Sequence, residues 1–143
     1  QLQIRECCPE EHMTLIMRRF MMRIAERIAE KNKSLALITG ESVGQVASQT
    51  LAALDVTNAV VDMPILQPLI GMDKLEIMDR AREIGTFETS ILPYEDCCTV
   101  FTPKHPTVNP RRANIEKTEM ALNVSELIES ALQGVEKLEI YPE

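Results

Sequence analysis

Two adjacent cysteines, Cys97 and Cys98, stand in "YEDCCTVFTPKHPT", Tyr94 to Thr107, beside Asp96 and ahead of a basic segment. A loop offers a thiol little to pack against, so loop cysteines in a reducing compartment tend to be chemical rather than structural. The chemistry open to them is nucleophilic, and it needs a partly exposed, electropositive setting that favours the thiolate. An inert pair and a zinc site are the other readings. Zinc would draw on Cys7, Cys8, Cys97 and Cys98, but zinc sites favour two to four residues between paired cysteines, and these pairs are adjacent. The two histidines, His12 and His105, lack metal spacing; His12 falls at a helix start and His105 beside the basic segment.

A second stretch, "ITGESVGQVASQ", residues 38–49, leaves an apolar strand, passes Gly40, Glu41 and Ser42, and enters a segment with helical spacing. A strand-to-helix turn presents backbone N–H groups and the positive end of a helix dipole, so its natural guest is an anion such as a phosphate. The plain alternative is that Gly40 permits the turn, Ser42 caps the helix and Gln49 faces water. On a helix from about Val43 to Leu54, residues Ser42, Gln45 and Gln49 would align along one side.

Charge narrows the partners. The formal net charge of −7 argues against a nucleic-acid grip spread over the whole surface, which requires clustered Lys and Arg. A local patch is available in "KHPTVNPRR", where Lys104, Arg111 and Arg112 come without an intervening acid, and this is the candidate nucleic-acid contact. No apolar run approaches the ~20 residues of a membrane span, so no membrane partner is expected. The cysteine pairs make a poor disulfide framework, which favours the cytoplasm. The chain opens on "QLQI" rather than Met, which reads as the tail of a preceding segment.

The elements that must position these residues alternate. Apolar residues at Met13, Ile16, Met17, Phe20, Met21, Ile24 and Ile28 mark one face of a helix from Met13 to Glu30. Arg19, Arg23, Glu26 and Glu30 are expected on its solvent ridge, and Arg18 on the edge of the buried side. "SLALIT", Ser34 to Thr39, is expected to be a strand buried on both faces. A further strand is expected within Val60 to Ile70, interrupted by Pro64 and Pro68. Asp73-x-x-Glu76 predicts a capping box for a helix that ends at Gly85. From Thr86 to about Arg112 no period appears, well beyond the ~12–15 residues of a passive loop. Two short helices, Asn114 to Leu122 and Ser125 to Leu132, follow, and "VEKLEIYPE" is either a last strand or loose. The alternation predicts one α/β domain with a parallel sheet, whose ligands sit beyond the carboxyl ends of the strands.

Three segments, "MRRFMMRIAERIAE", "ITGESVGQVASQT" and "PLIGMDKLEIMDRAREIGTFETSILPYEDCCTVFTPKHPT", resemble the adenylation domain of the ThiI family, the tRNA 4-thiouridine synthetases also called thiamine-biosynthesis sulfurtransferases. The resemblance is strong from about Met13 to Thr107 and weak elsewhere. It implies a PP-loop ATP pyrophosphatase fold, Rossmann-like, with residues 1–143 as its later part and incomplete on the N-terminal side. The family's SGGxDS phosphate loop, its RNA-binding domains and a rhodanese domain are not in this sequence, so the chain alone is expected to be inactive.

The implied reaction uses ATP, with Mg2+ offsetting phosphate charge, to adenylate a uridine oxygen of tRNA, after which persulfide sulfur replaces it and AMP leaves. A cysteine desulfurase would supply the sulfur, a homodimer is the suggested assembly, and thiazole synthesis for thiamine is a linked activity. By motif position, Arg18, Gly40 and Gln49 match family ATP-binding residues. Cys98 matches the cysteine that handles sulfur, with Cys97 beside it. Lys104 and His105 would favour a thiolate there and Asp96 would oppose it. The competing expectations are a nucleotide-binding module without catalysis and a metal- or cluster-binding protein organised by the cysteines.

Overall fold

The computed structural model describes residues 1–94, 103 and 105–141. Its central element is the helix α2, Met13–Lys31, preceded by α1, Leu2–Cys7, and by a 3-10 turn over Glu10–His12 that brings His12 to the start of α2. Ile16 and Leu15 of α2 are almost wholly enclosed, and Met13 and Phe20 are buried with them. Met21 departs from the expected stripe and is 59% exposed, because the apolar contact falls on the Leu15–Met22 side of the helix instead.

Beyond α2 the chain runs through strand β1, Leu37–Ile38, helix α3, Leu51–Asn58, and strand β2, Ile65–Leu66. The two strands pair in parallel, Leu37 opposite Ile65 and Ile38 opposite Leu66, so β1, α3 and β2 form one crossover unit of the expected α/β type. Pro64 and Pro68 bracket β2, and the Pro64 carbonyl still accepts from the Leu37 N–H at 2.8 Å. The expectation of a strand buried on both faces is corrected: Leu37 packs with Met22 and Ala29 of α2, whereas Ile38 is 73% and Leu66 53% exposed. One face of the sheet lies on α2 and the other is open.

Helix α4, Lys74–Glu83, begins with the expected capping box: the Asp73 carboxylate accepts from the Glu76 N–H and the Glu76 carboxylate from the Asp73 N–H. Gly85 follows with φ of +73°, the left-handed conformation that ends a helix most readily at glycine. The supposedly aperiodic stretch contains a further turn of helix, α5, Phe87–Ser90. The last helices are α6, Arg112–Glu119, and α7, Val124–Gln133, both close to their expected bounds, and residues 135–141 form no regular element.

Two cores result. The larger joins Ile4 and Cys8 to Leu15, Ile16 and Phe20 of α2, Ala53 and Val56 of α3, Ile115 of α6 and Ile128 of α7. The smaller lies between α2 and the sheet. Since α2 contributes to both, its position fixes where any side chain on its flanks can reach.

Candidate functional site

The segment after β1 does not enter a helix directly. Ser42 donates its hydroxyl to the Met72 carbonyl at 2.6 Å, the Val43 N–H donates to Ile70 at 3.0 Å, and Gly44 adopts φ of +83°. These bonds hold an irregular loop that continues to a 3-10 turn at Ala47–Gln49; α3 starts only at Leu51. Thr50 is its N-cap, accepting from the Ala53 N–H at 3.2 Å while donating to Val108 at 2.8 Å. The expected helix from Val43 to Leu54 is therefore replaced by a loop and a shorter helix, and Ser42, Gln45 and Gln49 do not share a helix face. Ser42 caps nothing.

The anion-binding reading of this turn changes accordingly. The first α-helix after Gly40 starts only at Leu51, and the N–H groups of Val43 and Gly44 are already engaged, the latter with Gln49 at 3.0 Å. Positive charge comes instead from Arg18 of α2. Its guanidinium pairs with the Glu41 carboxylate and donates to the Ser48 hydroxyl at 3.4 Å. The Arg18 side chain keeps 20% of its surface exposed, as the half-buried flank position predicts. Gly40 precedes Glu41 in sequence just beyond β1, and a Cβ there would meet nothing within 4 Å, so the backbone faces open space.

Glu41, by contrast, is buried at 6% exposure. Its carboxylate accepts from the Thr39 hydroxyl at 2.8 Å and from the Gln67 amide as well as from Arg18. Three donors on one buried carboxylate are what an ion needs to remain charged away from water. Sequence reasoning places Glu41 at the strand end without a role, and it misses Gln67. The available signal is electrostatic: a half-buried arginine on α2 needs an anionic partner, and Glu41 is the carboxylate at the neighbouring strand end.

A cleft of about 250 Å3 opens beside Ser48, between Thr14 and Leu15 of α2, the Val46–Ser48 segment, and Pro103, Pro106 and Thr107. Arg18 thus reaches Glu41, the residue after Gly40 beyond the carboxyl end of β1, and Ser48, which lines this cleft and precedes Gln49 in the 3-10 turn. Cys97, Cys98, Asp96 and Lys104 lie outside the described residues. Arg111 and Arg112 are exposed at the start of α6, where Arg112 pairs with Glu116 at 2.7 Å. Cys7 is exposed and Cys8 buried, and burial first, then Cys7 and Glu119, pushes the Cys8 thiol up. Among the described residues no group of three or more His, Cys, Asp or Glu side chains gathers to hold a metal.

Arg19 is the second correction. It is 3% exposed rather than on a solvent ridge, and binds both oxygens of Glu119 in α6, with Nη2 at 2.8 Å, and the Val56 carbonyl at 2.8 Å. Arg23 reaches the same carboxylate at 2.6 and 2.8 Å. Glu26, expected beside them in solvent, accepts from the N–H groups of Asp62 and Met63 at 2.7 and 2.9 Å. Burial pushes the Glu119 carboxyl up, but Arg23 and Arg19 outweigh it and hold the group below the usual carboxylate range. This cluster ties α6 to α2 and lies apart from the Gly40 loop.

The profile of the family described as Thiamine biosynthesis protein (ThiI) matches residues 1–124. The chain belongs to the ThiI family. Among its relatives, a protein of Acetivibrio thermocellus named "Probable tRNA sulfurtransferase" is 63% identical over 140 residues, covering 98% of this chain and 36% of that protein. One of the same name from Alkaliphilus metalliredigens is 60% identical over 136 residues, covering 95% of this chain and 35% of that protein. The chain thus spans about a third of the length of these ThiI relatives. The crystal structure of a 4-thiouridine synthetase–RNA complex with bound ATP superposes with a TM-score of 0.87 at 42% identity, over 93% of this chain and 35% of that one. The α/β PP-loop fold expected from the motifs is therefore the fold of this ThiI chain. Among its described residues, no helix is long and apolar enough to cross a membrane.

Proposed function

We propose that residues 1–143 form the later part of the adenylation domain of a tRNA sulfurtransferase, which uses ATP to convert a tRNA uridine to 4-thiouridine in the cytoplasm. The observation that carries this reading is the approach of Arg18 from α2 to Glu41 and Ser48 beyond the carboxyl end of a parallel sheet, where α/β proteins bind ligands. The relatives' names support it, as do the ATP and RNA bound to the similar 4-thiouridine synthetase.

ATP is the substrate of the first step, and the residues present suit part of it. Arg18 supplies a guanidinium that can meet a phosphate oxygen, the Gly40 backbone leaves room for close approach, and the Gln49 side chain can add a contact. Mg2+ would arrive with the phosphates and offset their charge. The uridine O4 then attacks the α-phosphorus and pyrophosphate leaves. In the second step the outer sulfur of a persulfide attacks C4, the C4–O bond breaks and AMP departs; a second thiol then attacks the inner sulfur, the S–S bond breaks to release 4-thiouridine, and the resulting disulfide is returned to thiols by a thiol reductant. Cys98, with Cys97 beside it, is the proposed carrier or resolver of that persulfide, charged by a cysteine desulfurase. Lys104, Arg111 and Arg112 would meet tRNA phosphates, and a homodimer is the proposed assembly. The cleft beside Ser48 supports this division of labour, since its far wall is formed by Pro103, Pro106 and Thr107, a few residues beyond the two cysteines in sequence.

The experiment is a chimera in which this chain replaces the matching segment of the Acetivibrio thermocellus relative. AMP release and 4-thiouridine in tRNA are measured with and without ATP. ATP-dependent formation of both is expected; a folded chimera that releases no AMP in the presence of tRNA and a persulfide donor contradicts the reading.

A further inference from the structure

We infer that Glu41 is a positioning residue for nucleotide binding, acting through Arg18. The inference rests on the proposed assignment of Arg18 to the ATP site. Arg18 reaches the strand end from the N-terminal half of α2 on a long side chain, and without a fixed partner its guanidinium would sample many rotamers. Glu41 removes that freedom. Its carboxylate is buried, is contributed by the residue after Gly40, and is itself held by Thr39 at the end of β1 and by Gln67 immediately after β2. One carboxylate therefore locks both strand ends to one arginine. The second nitrogen of Arg18 is turned toward Ser48, which lines the cleft, so the pair aims the cation at the edge of that space.

Two physical effects oppose each other. The Glu41 charge partly cancels the positive potential of Arg18, which by itself would weaken phosphate binding. Pre-organisation strengthens binding, because a guanidinium already in place loses no rotamer entropy when the anion arrives. Burial favours the second effect: both oxygens of Glu41 are turned into protein donors, while the Arg18 side chain keeps 20% of its surface exposed. Glu41 acts on nucleotide only by where it holds Arg18.

The test is a double-mutant cycle on ATP affinity in the chimera described above, with Glu41→Gln, Arg18→Ala and the double variant, each checked for folding by circular dichroism. Glu41→Asp, which keeps the charge but withdraws it by one methylene, serves as the second probe where Glu41→Gln does not fold. A loss of ATP affinity of about tenfold or more is expected for Arg18→Ala and a several-fold loss for either Glu41 variant. The double variant should bind no worse than Arg18→Ala alone, because Glu41 has no route to the nucleotide once Arg18 is gone. Losses that add in the double variant, unchanged affinity in the Glu41 variants, or tighter ATP binding when the charge is removed would overturn the role of Glu41 while leaving Arg18 in the site. Unchanged affinity in Arg18→Ala overturns the site assignment itself, and the inference with it.

Discussion

Arg18 and Arg19 are consecutive residues of α2, yet they end on different carboxylates: Glu41 at the end of β1 for Arg18, and Glu119 of α6 for Arg19. A helix turns about 100° per residue, so adjacent side chains leave it toward different neighbours. Here one neighbour is the candidate ATP site and the other is the packing of α6 onto α2.

The two arginines should therefore fail in different ways. Arg19→Ala removes one partner of a buried ion pair and the bond to the Val56 carbonyl, and should cost about 3 kcal/mol of stability. It should leave ATP affinity within about twofold in the protein that remains folded. Arg18→Ala should show the smaller fall in Tm and the tenfold loss of ATP affinity. Thermal melts and nucleotide titrations of both variants check this; loss of ATP affinity in Arg19→Ala at a temperature where it is folded would contradict the division.

Acid should probe the Glu119 cluster. The folded carboxyl is held below its usual value of 4.5, so the unfolded chain binds the proton more readily. Its contribution to stability is complete above that unfolded value and is lost as pH falls from there through the folded one. Glu119→Gln should thus be clearly less stable than the parent at pH 7, with the gap narrowing below about pH 4.5. Denaturant midpoints measured from pH 7 to pH 3 give the comparison, and a gap that widens on acidification has the wrong sign for this account.

The features legible in the sequence are those closed within a few residues or repeated along one element. The Asp73 capping box occupies four positions, and the apolar stripe of α2 repeats over five turns, so both appear in the structure nearly as read. The burial of Arg19 is not legible because its partner stands a hundred positions away, where periodicity gives no hint that a carboxylate will meet it. The expected helix at Val43 fails for a similar reason. Its apolar spacing is helical, but Ser42 and Val43 bond to Met72 and Ile70 beyond β2, and Gly44 takes a left-handed conformation. Non-local bonds outcompete local propensity there. The half-buried placing of Arg18 is legible because it flanks Leu15 and Met22, both of which are buried.

The thiols should separate in the chimera. Cys98→Ser is expected to abolish 4-thiouridine formation while adenylation of tRNA, read as pyrophosphate release, continues, since a serine hydroxyl cannot carry a persulfide or resolve one by thiolate attack. Cys97→Ser should show the milder defect. Quantifying 4-thiouridine and pyrophosphate for both decides the assignment; normal thiolation by Cys98→Ser with loss only in Cys97→Ser would transfer the role to Cys97.

The most direct test of the nucleotide site is the release of AMP by the chimera, supplied with tRNA and a persulfide donor, with Arg18 intact and with Arg18→Ala. ATP concentrations span the affinity of each protein, and folding is confirmed by circular dichroism. The account predicts tRNA-dependent AMP release with Arg18 intact, and a requirement for about tenfold more ATP when Arg18 is alanine. The same ATP dependence in both folded proteins would contradict it.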